Sequence, residues 1–332
     1  MPESRIYVFV ETDIHVFSVF VGKGRTVKFN FKMTYDNLPR IPPTGDRKTR
    51  IVLNFVFTVG IVLGNLLVLL LVVGSKKLRR SSKYILVASL AFADLSDGGL
   101  LLPMWTDILI EQRVNYSCLA RYLAGACGNS VATVCSLSVV ALNTDFTFRR
   151  AVTQYRGKLR SAITTVLLML CWIGPCVSLG PLIAMGMRNS DPAHCFFTLD
   201  ENSKFFIYLA FFIPSGAIII SSGFVIFVHF KTKAGGYSTD TAFPCDVFVT
   251  ACVTLGLYIP FAVLQLNTYD CHPNECYMYF VSRFFITGNL VYAKSAILPW
   301  IWLCSKDFRD EVKDIFCVRT RSNNDDVGTI DH

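Results

Sequence analysis

The stretch Ser89 to Pro103, SLAFADLSDGGLLLP, decides the reading of the whole chain. It is an apolar run of membrane-spanning character with a carboxylate, Asp94, close to its middle. A charge at that depth costs roughly 2.5–3.5 kcal/mol on insertion scales and more in simulation, so an intramembrane Asp is a functional-site candidate by default. Whether it belongs to a membrane bundle then depends on what flanks it.

The flanks are of the same kind. The chain has 332 residues, of which 52% are hydrophobic and 17% charged, and its mean hydropathy is +0.45. That is far too apolar for an ordinary soluble domain and reads as a polytopic membrane protein. The net charge of +8 does not point to nucleic acid, because the basic residues fall in short clusters between apolar spans. Most of the twelve cysteines lie inside those spans and behave as small hydrophobes. The sequence contains no CxxC, HExxH, GxSxG or phosphate-loop pattern and no internal repeat. An enzyme reading therefore has no support, and no cofactor or metal site is expected.

Helix one is predicted over Ile51–Val73, an uncharged run of 23 residues, where about 20 suffice to cross the hydrocarbon core. Helix two follows over Tyr84–Met104, helix three over Cys118–Leu142, helix four over Ile163–Met187 and helix five over Phe205–Phe230. Helix six is expected at Phe243–Leu266 and helix seven at Tyr277–Leu303. Ser305–Phe316 is amphipathic, with Phe308, Val312, Ile315 and Phe316 on one side, as in a helix lying on a membrane surface. The fold expected is an all-α membrane protein, a seven-helix bundle over residues 48–304 with helix eight and a short tail over 305–332. Residues 1–47 read as an extracellular tail of uncertain structure.

Basic residues mark one side of this bundle. Lys76, Lys77, Arg79, Arg80 and Lys83 follow helix one, Arg149, Arg150, Arg156, Lys158 and Arg160 follow helix three, and Lys231 and Lys233 follow helix five. The positive-inside rule then places the N-terminus outside and the C-terminus inside.

Leu90-Ala91-Phe92-Ala93-Asp94, followed by Pro103, resembles the LAxAD of helix two in rhodopsin-like (class A) G-protein-coupled receptors. Asn65, Trp172, Pro214, Pro260 and Pro299, with Cys118 and Cys195, fall in the same order and at similar spacing. The stretch LPWIWLCSKDFRDEV is similar to the end of helix seven and the start of helix eight in bombesin- and endothelin-type peptide receptors. The resemblance implies a plasma-membrane receptor that binds an extracellular ligand and engages a heterotrimeric G protein or arrestin from within the bilayer. It also implies a bridge from Cys118 to Cys195; two buried free thiols are the alternative. Cys271 and Cys276 either close a small ring or stay free.

The chain departs from that family where signalling is concerned. Counting from Cys118, the DRY motif becomes Leu142-Asn143-Thr144; counting from Asp145 it becomes Asp145-Phe146-Thr147, and neither contains arginine. Arg149 or Arg150 could then substitute from the loop, so Asp145, Arg149 and Arg150 are the coupling candidates. NPxxY reads Leu298-Pro299-Trp300-Ile301-Trp302, the helix-five tyrosine is Ser222, and the helix-six tryptophan is Tyr258. Weak, unusual or absent G-protein activation follows from these changes, and with it the alternative of an atypical or decoy receptor. A small transporter would also use buried charges such as Asp94, Asp97 and Lys294, but the repeats or broken helices it usually shows are not evident.

In the family, Asp94 joins a sodium ion with polar groups of helices three and seven. Here helix seven offers Lys294, which either pairs with Asp94 in place of sodium or reaches a water-filled cavity without touching it. Asp94, Lys294 and Asn65 are thus the switch residues. Lys294 stands five residues before Pro299, whereas the retinal lysine of opsins stands seven before that proline, and Arg121 takes the place of a counterion. Gly125 stands where aminergic receptors place an Asp, which disfavours an amine, while a polar and aromatic pocket under cysteine-tied outer loops and the resemblance of the tail suit a peptide. Asn129, Tyr258, Gln265, Arg283 and Tyr292 are the expected ligand contacts, Tyr258 and Tyr292 with helix packing as the alternative. Asn115-Tyr116-Ser117 is a glycosylation sequon close to the membrane, and Cys317 is a palmitoylation candidate.

Overall fold

The computed structural model describes residues 8–10, 16–21, 25–30, 47–111, 118–151, 158–189, 208–234, 243–267 and 273–314. Near the N-terminus, β1 (Val8–Val10), β2 (Val16–Val21) and β3 (Arg25–Asn30) form an antiparallel meander, with Phe9 opposite Ser18 and Phe17 opposite Phe29. From the sequence this segment is of uncertain structure, because Glu11, Asp13 and His15 interrupt its apolar run.

Among the described residues the bundle itself is built of helices. Helix one is α1 (Arg47–Gly74), followed by a single turn, α2 (Lys76–Arg79), whose Leu78 amide is capped by Ser75 Oγ at 3.1 Å. Helix two is α3 (Ser82–Ser96), a π-helical turn at Asp97–Leu101, and α4 (Leu102–Glu111). Helices three and four are α5 (Cys118–Ala151) and α6 (Lys158–Asn189). A second π-helical turn, Tyr208–Phe212, leads into helix five, α7 (Ile213–Ala234). Helices six and seven are α8 (Cys245–Asn267) and α9 (Pro273–Leu303), and residues 306–314 form α10.

Among the described residues, six helices are long and apolar enough to cross a membrane. Their surfaces are reversed relative to a soluble protein. On α1, Ile61, Gly64, Asn65, Val68 and Leu71 face inward at helical spacing, while Phe55, Leu63 and Leu70 are each at least 60% exposed. An apolar exterior of that extent is stable only in lipid. Helix three is the axis of the bundle, packing on helices two, four, five and six, and α1 lies between α3 and α9.

Helix three runs to Ala151, further than the sequence suggested, so Arg149 and Arg150 stand on its last turn and not in a loop. The extension is carried by Thr144 and Thr147, whose hydroxyls donate to the carbonyls one turn back, and by the Asp145–Arg149 ion pair along the same face.

Two prolines remove helical hydrogen bonds that neighbouring helices replace. Pro214 has no N–H to offer the Ala210 carbonyl, which instead lies 3.2 Å from Thr133 Oγ of α5, a hydroxyl it shares with the Asn129 carbonyl at 2.8 Å. Pro299 likewise frees the Ser295 carbonyl, and Asn65 Nδ2 of α1 donates to it at 3.1 Å. Gly64 lets this approach happen, because a Cβ there would meet the Pro299 ring at 3.0 Å. In hydrocarbon an unmet carbonyl costs several kcal/mol. Gly98, in the helix-two π turn, plays a similar part, since a Cβ would fall 2.4 Å from Ile61 Cγ2.

These contacts predict a specific coupling. Asn65→Ala should lower stability by about 1–3 kcal/mol, read as a fall in the thermal midpoint of purified protein. The loss should shrink in a Pro299→Ala background, where the restored backbone N–H can serve Ser295; equal losses in both backgrounds would refute the assignment.

Candidate functional site: a buried ionic knot and the polar layer beneath it

At the centre of the bundle, Lys294 Nζ of helix seven donates to Asp94 Oδ1 of helix two at 2.6 Å, and both side chains are essentially inaccessible. The same oxygen accepts from Ser295 Oγ at 2.7 Å and from Cys135 Sγ of helix three at 3.3 Å. Lys294 Nζ also donates to Tyr258 Oη of helix six at 3.1 Å and lies 4.8 Å from that ring's centre. One ammonium thus ties helices two, six and seven together, while its carboxylate partner adds helix three. Asn65 adds helix one through the Ser295 carbonyl.

The geometry follows from helical spacing. Lys294 and Ser295 are adjacent and Pro299 lies a turn further on, so the lysine and the freed carbonyl sit on the inward face of α9, where both are fully buried with Leu298. Two bare charges at this depth would each be very costly, and close pairing with added hydrogen bonds offsets the desolvation. The residues do not suit the sodium ion that the family resemblance implies, because the Lys294 ammonium already supplies the positive charge at Asp94 Oδ1, although Asp94 Oδ2 is buried without a hydrogen-bond partner among the described residues. Asp97, one turn outward, is 7% exposed and within electrostatic reach of both Asp94 and Lys294. Its carboxylate has no hydrogen-bonded or ion-paired partner among the described residues.

A second polar layer lies at the basic end. Asn143 Nδ2 donates to Ser221 Oγ and Ser222 Oγ of helix five at 2.9 and 3.0 Å. Asp145, fully buried, faces the other way: it accepts from Ser82 Oγ of helix two at 2.5 Å and pairs with Arg149. Arg160 Nε of helix four donates to Ser82 Oγ at 2.9 Å. The two counts of the helix-three motif are therefore separated in space. Asn143 is the residue that meets Ser222 on helix five, and Asp145 meets helix two. Arg150 stacks on Phe146, its guanidinium 5.1 Å from the ring centre.

The other sequence candidates are distributed differently. Tyr258 is 2% exposed and its hydroxyl is engaged by Lys294, so it belongs to the ionic knot and not to an outer ligand surface. Asn129 and Tyr292 are half-buried on helices three and seven. Gln265, Arg283, Asn115, Cys118, Cys195, Cys271, Cys276 and Cys317 lie outside the residues whose side chains are described. Trp172 Nε1 donates to Ser89 Oγ at 2.9 Å and its ring lies 5.7 Å from Phe92, joining helix four to helix two.

Sequence reasoning missed Cys135, Ser82 and the contacts of Lys83, Tyr84 and Asp246. Lys83 forms an ion pair with Asp246 at the start of helix six, and Tyr84 Oη hydrogen-bonds Asp307 of α10. No local pattern marks partners separated by 163 and 223 residues, although an acid at the start of helix six, opposite basic loops, was a usable signal.

The family model for the 7 transmembrane receptor (rhodopsin family) matches residues 64–302. No curated protein matches the chain.

The knot makes a double-mutant prediction. Lys294→Ala strands a buried carboxylate, a change that typically costs about 3–5 kcal/mol, and should sharply reduce surface expression. Adding Asp94→Ala should recover much of it; a double variant as poorly expressed as the single would show that the two charges do not compensate each other.

Proposed function

Because the chain belongs to the rhodopsin family of seven-transmembrane receptors, a family of multi-pass membrane proteins and not of enzymes, we propose that it detects an extracellular peptide and signals to a heterotrimeric G protein. The reading takes the basic end as cytoplasmic and the plasma membrane as its location. The observation that carries it is the ionic knot. A ligand entering from the outer side and displacing helix six or seven must work against Tyr258 or Lys294, whose shared contacts reach helices two and three. That gives a route from an outer stimulus to a change in helix arrangement, provided the ligand has different affinities for the two arrangements. Gly125 in helix three and the bombesin- and endothelin-like tail support a peptide over an amine.

Asn143 favours a second reading. Its amide is held by two serines of helix five, and it supplies no cationic group for a G protein. Under this reading the chain is an atypical or decoy receptor that binds ligand, with arrestin as its partner or none. Arg149 and Arg150, on the last turn of helix three, are the cations nearest to that role.

The experiment is to expose surface-expressed, epitope-tagged receptor to a peptide library and read G-protein activation and arrestin recruitment in parallel. G-protein activation is expected, with a response lowered several-fold or more by Arg149→Ala combined with Arg150→Ala. Binding with arrestin alone, or with neither signal, would reject the G-protein reading in favour of the atypical receptor.

A further inference from the structure

Lys83 occupies a junction that the family motifs do not account for. Its ammonium pairs with Asp246, the second residue of helix six, and the two side chains are only 19% and 17% exposed. The same ammonium lies 5.2 Å from the ring centre of Tyr84 and 5.5 Å from that of Trp302, near the end of helix seven. Trp302 stands where the NPxxY motif would place its tyrosine, and it is fully buried. Tyr84 in turn bonds Asp307 and packs edge-on against buried Phe308 of α10, with ring centres 5.3 Å apart. Lys77 and Glu311 approach to 3.8 Å across the same seam.

Helix six has few other polar restraints at this end. Asn143, at the position counted from Cys118 as the motif arginine, is bonded to helix five instead. Among the described residues, Lys83–Asp246 is the one ion pair that helix six makes. Other described contacts there include buried Val247 and the Phe243 ring set edge-on against His229 at 5.1 Å. Partly desolvated ion pairs resist separation more than exposed ones, because little water is at hand to replace the partner.

From this geometry we infer that Lys83 is a clamp: by holding Asp246 while resting on Trp302, it keeps the inner end of helix six closed against helices two and seven. Opening the inner cleft requires Asp246 to leave Lys83, so the pair sets the balance between closed and open bundles. The restraint on helix six thus comes from helix two, through a lysine. The inference rests on the receptor reading above, but its test needs neither ligand nor G protein.

The test is hydrogen exchange by mass spectrometry on the full-length receptor in lipid nanodiscs, comparing wild type with Lys83→Gln, Asp246→Asn and the reciprocal Lys83→Asp/Asp246→Lys. Amides at the start of helix six, 245–252, should exchange at least tenfold faster in each single variant, and the reciprocal variant should regain most of the protection. Helix-one amides at 61–72 should be unchanged in all three, which separates opening from unfolding. If Lys83→Gln also loosens helix one, Asp246→Asn, the milder change, decides alone. Unchanged exchange at 245–252 in Asp246→Asn, or a reciprocal variant as open as the singles, would overturn the clamp. Basal G-protein turnover measured on the same samples tests the other reading: faster exchange without turnover keeps the clamp and rejects coupling.

Discussion

A carboxylate and an ammonium in the middle of a bilayer can persist only if each is the other's solvent. Asp94 and Lys294 meet that condition at 2.6 Å, and much of the bundle's internal polarity is arranged around them. Ser295, Cys135 and Tyr258 fill further hydrogen-bonding positions of the pair, and each comes from a helix that must be correctly placed to do so. The pair specifies geometry more than it adds stability, because desolvating the two ions absorbs most of their attraction. Helices two, three, six and seven can rotate or slide only by breaking hydrogen bonds that hydrocarbon will not replace.

The prolines impose the same rule on the backbone. Pro214 and Pro299 each interrupt a helix where a neighbour reaches across to the released carbonyl, Thr133 approaching Ala210 and Asn65 serving Ser295. A kink that would be a defect in an isolated helix is thus an interhelical bond in the bundle. The repair at Ser295 also explains why Gly64 precedes Asn65. Backbone and side chain must approach helix seven together, and a Cβ at position 64 would collide with Pro299.

The seven spans, their order and their shared basic side could be read from the sequence because apolar length and charge asymmetry are local properties. Asp94 and Lys294 were also legible as candidates, since a charge within such a span needs an explanation wherever it pairs. What local pattern could not supply was the direction of side chains at the basic end. Asn143 and Asp145 are two residues apart yet face different helices, because two residues on a helix subtend about 200°, and one string of letters offered both as the coupling motif. The π turn at Asp97–Leu101 was similarly hidden: paired glycines are consistent with a break, but the inserted residue shows only where helix two meets Ile61 of helix one. The end of helix three was misjudged for a related reason, since a run of polar and basic residues resembles a loop until Asp145 and Arg149 are seen to pair along a single helical face.

The 200 residues between Asp94 and Lys294 have a consequence for biosynthesis. At translation rates of about 5–20 residues per second, helix seven emerges roughly 10–40 s after helix two. During that interval the Lys294 ammonium is not yet there for Asp94 to pair with, and helix two must wait in the bilayer or at the insertion machinery. Assembly therefore has an obligatory last step: the final span must arrive before the second can settle. A nascent chain stalled or truncated ahead of Lys294 would display an unbalanced intramembrane acid, a distinctive mark by which quality control could recognise an unfinished molecule.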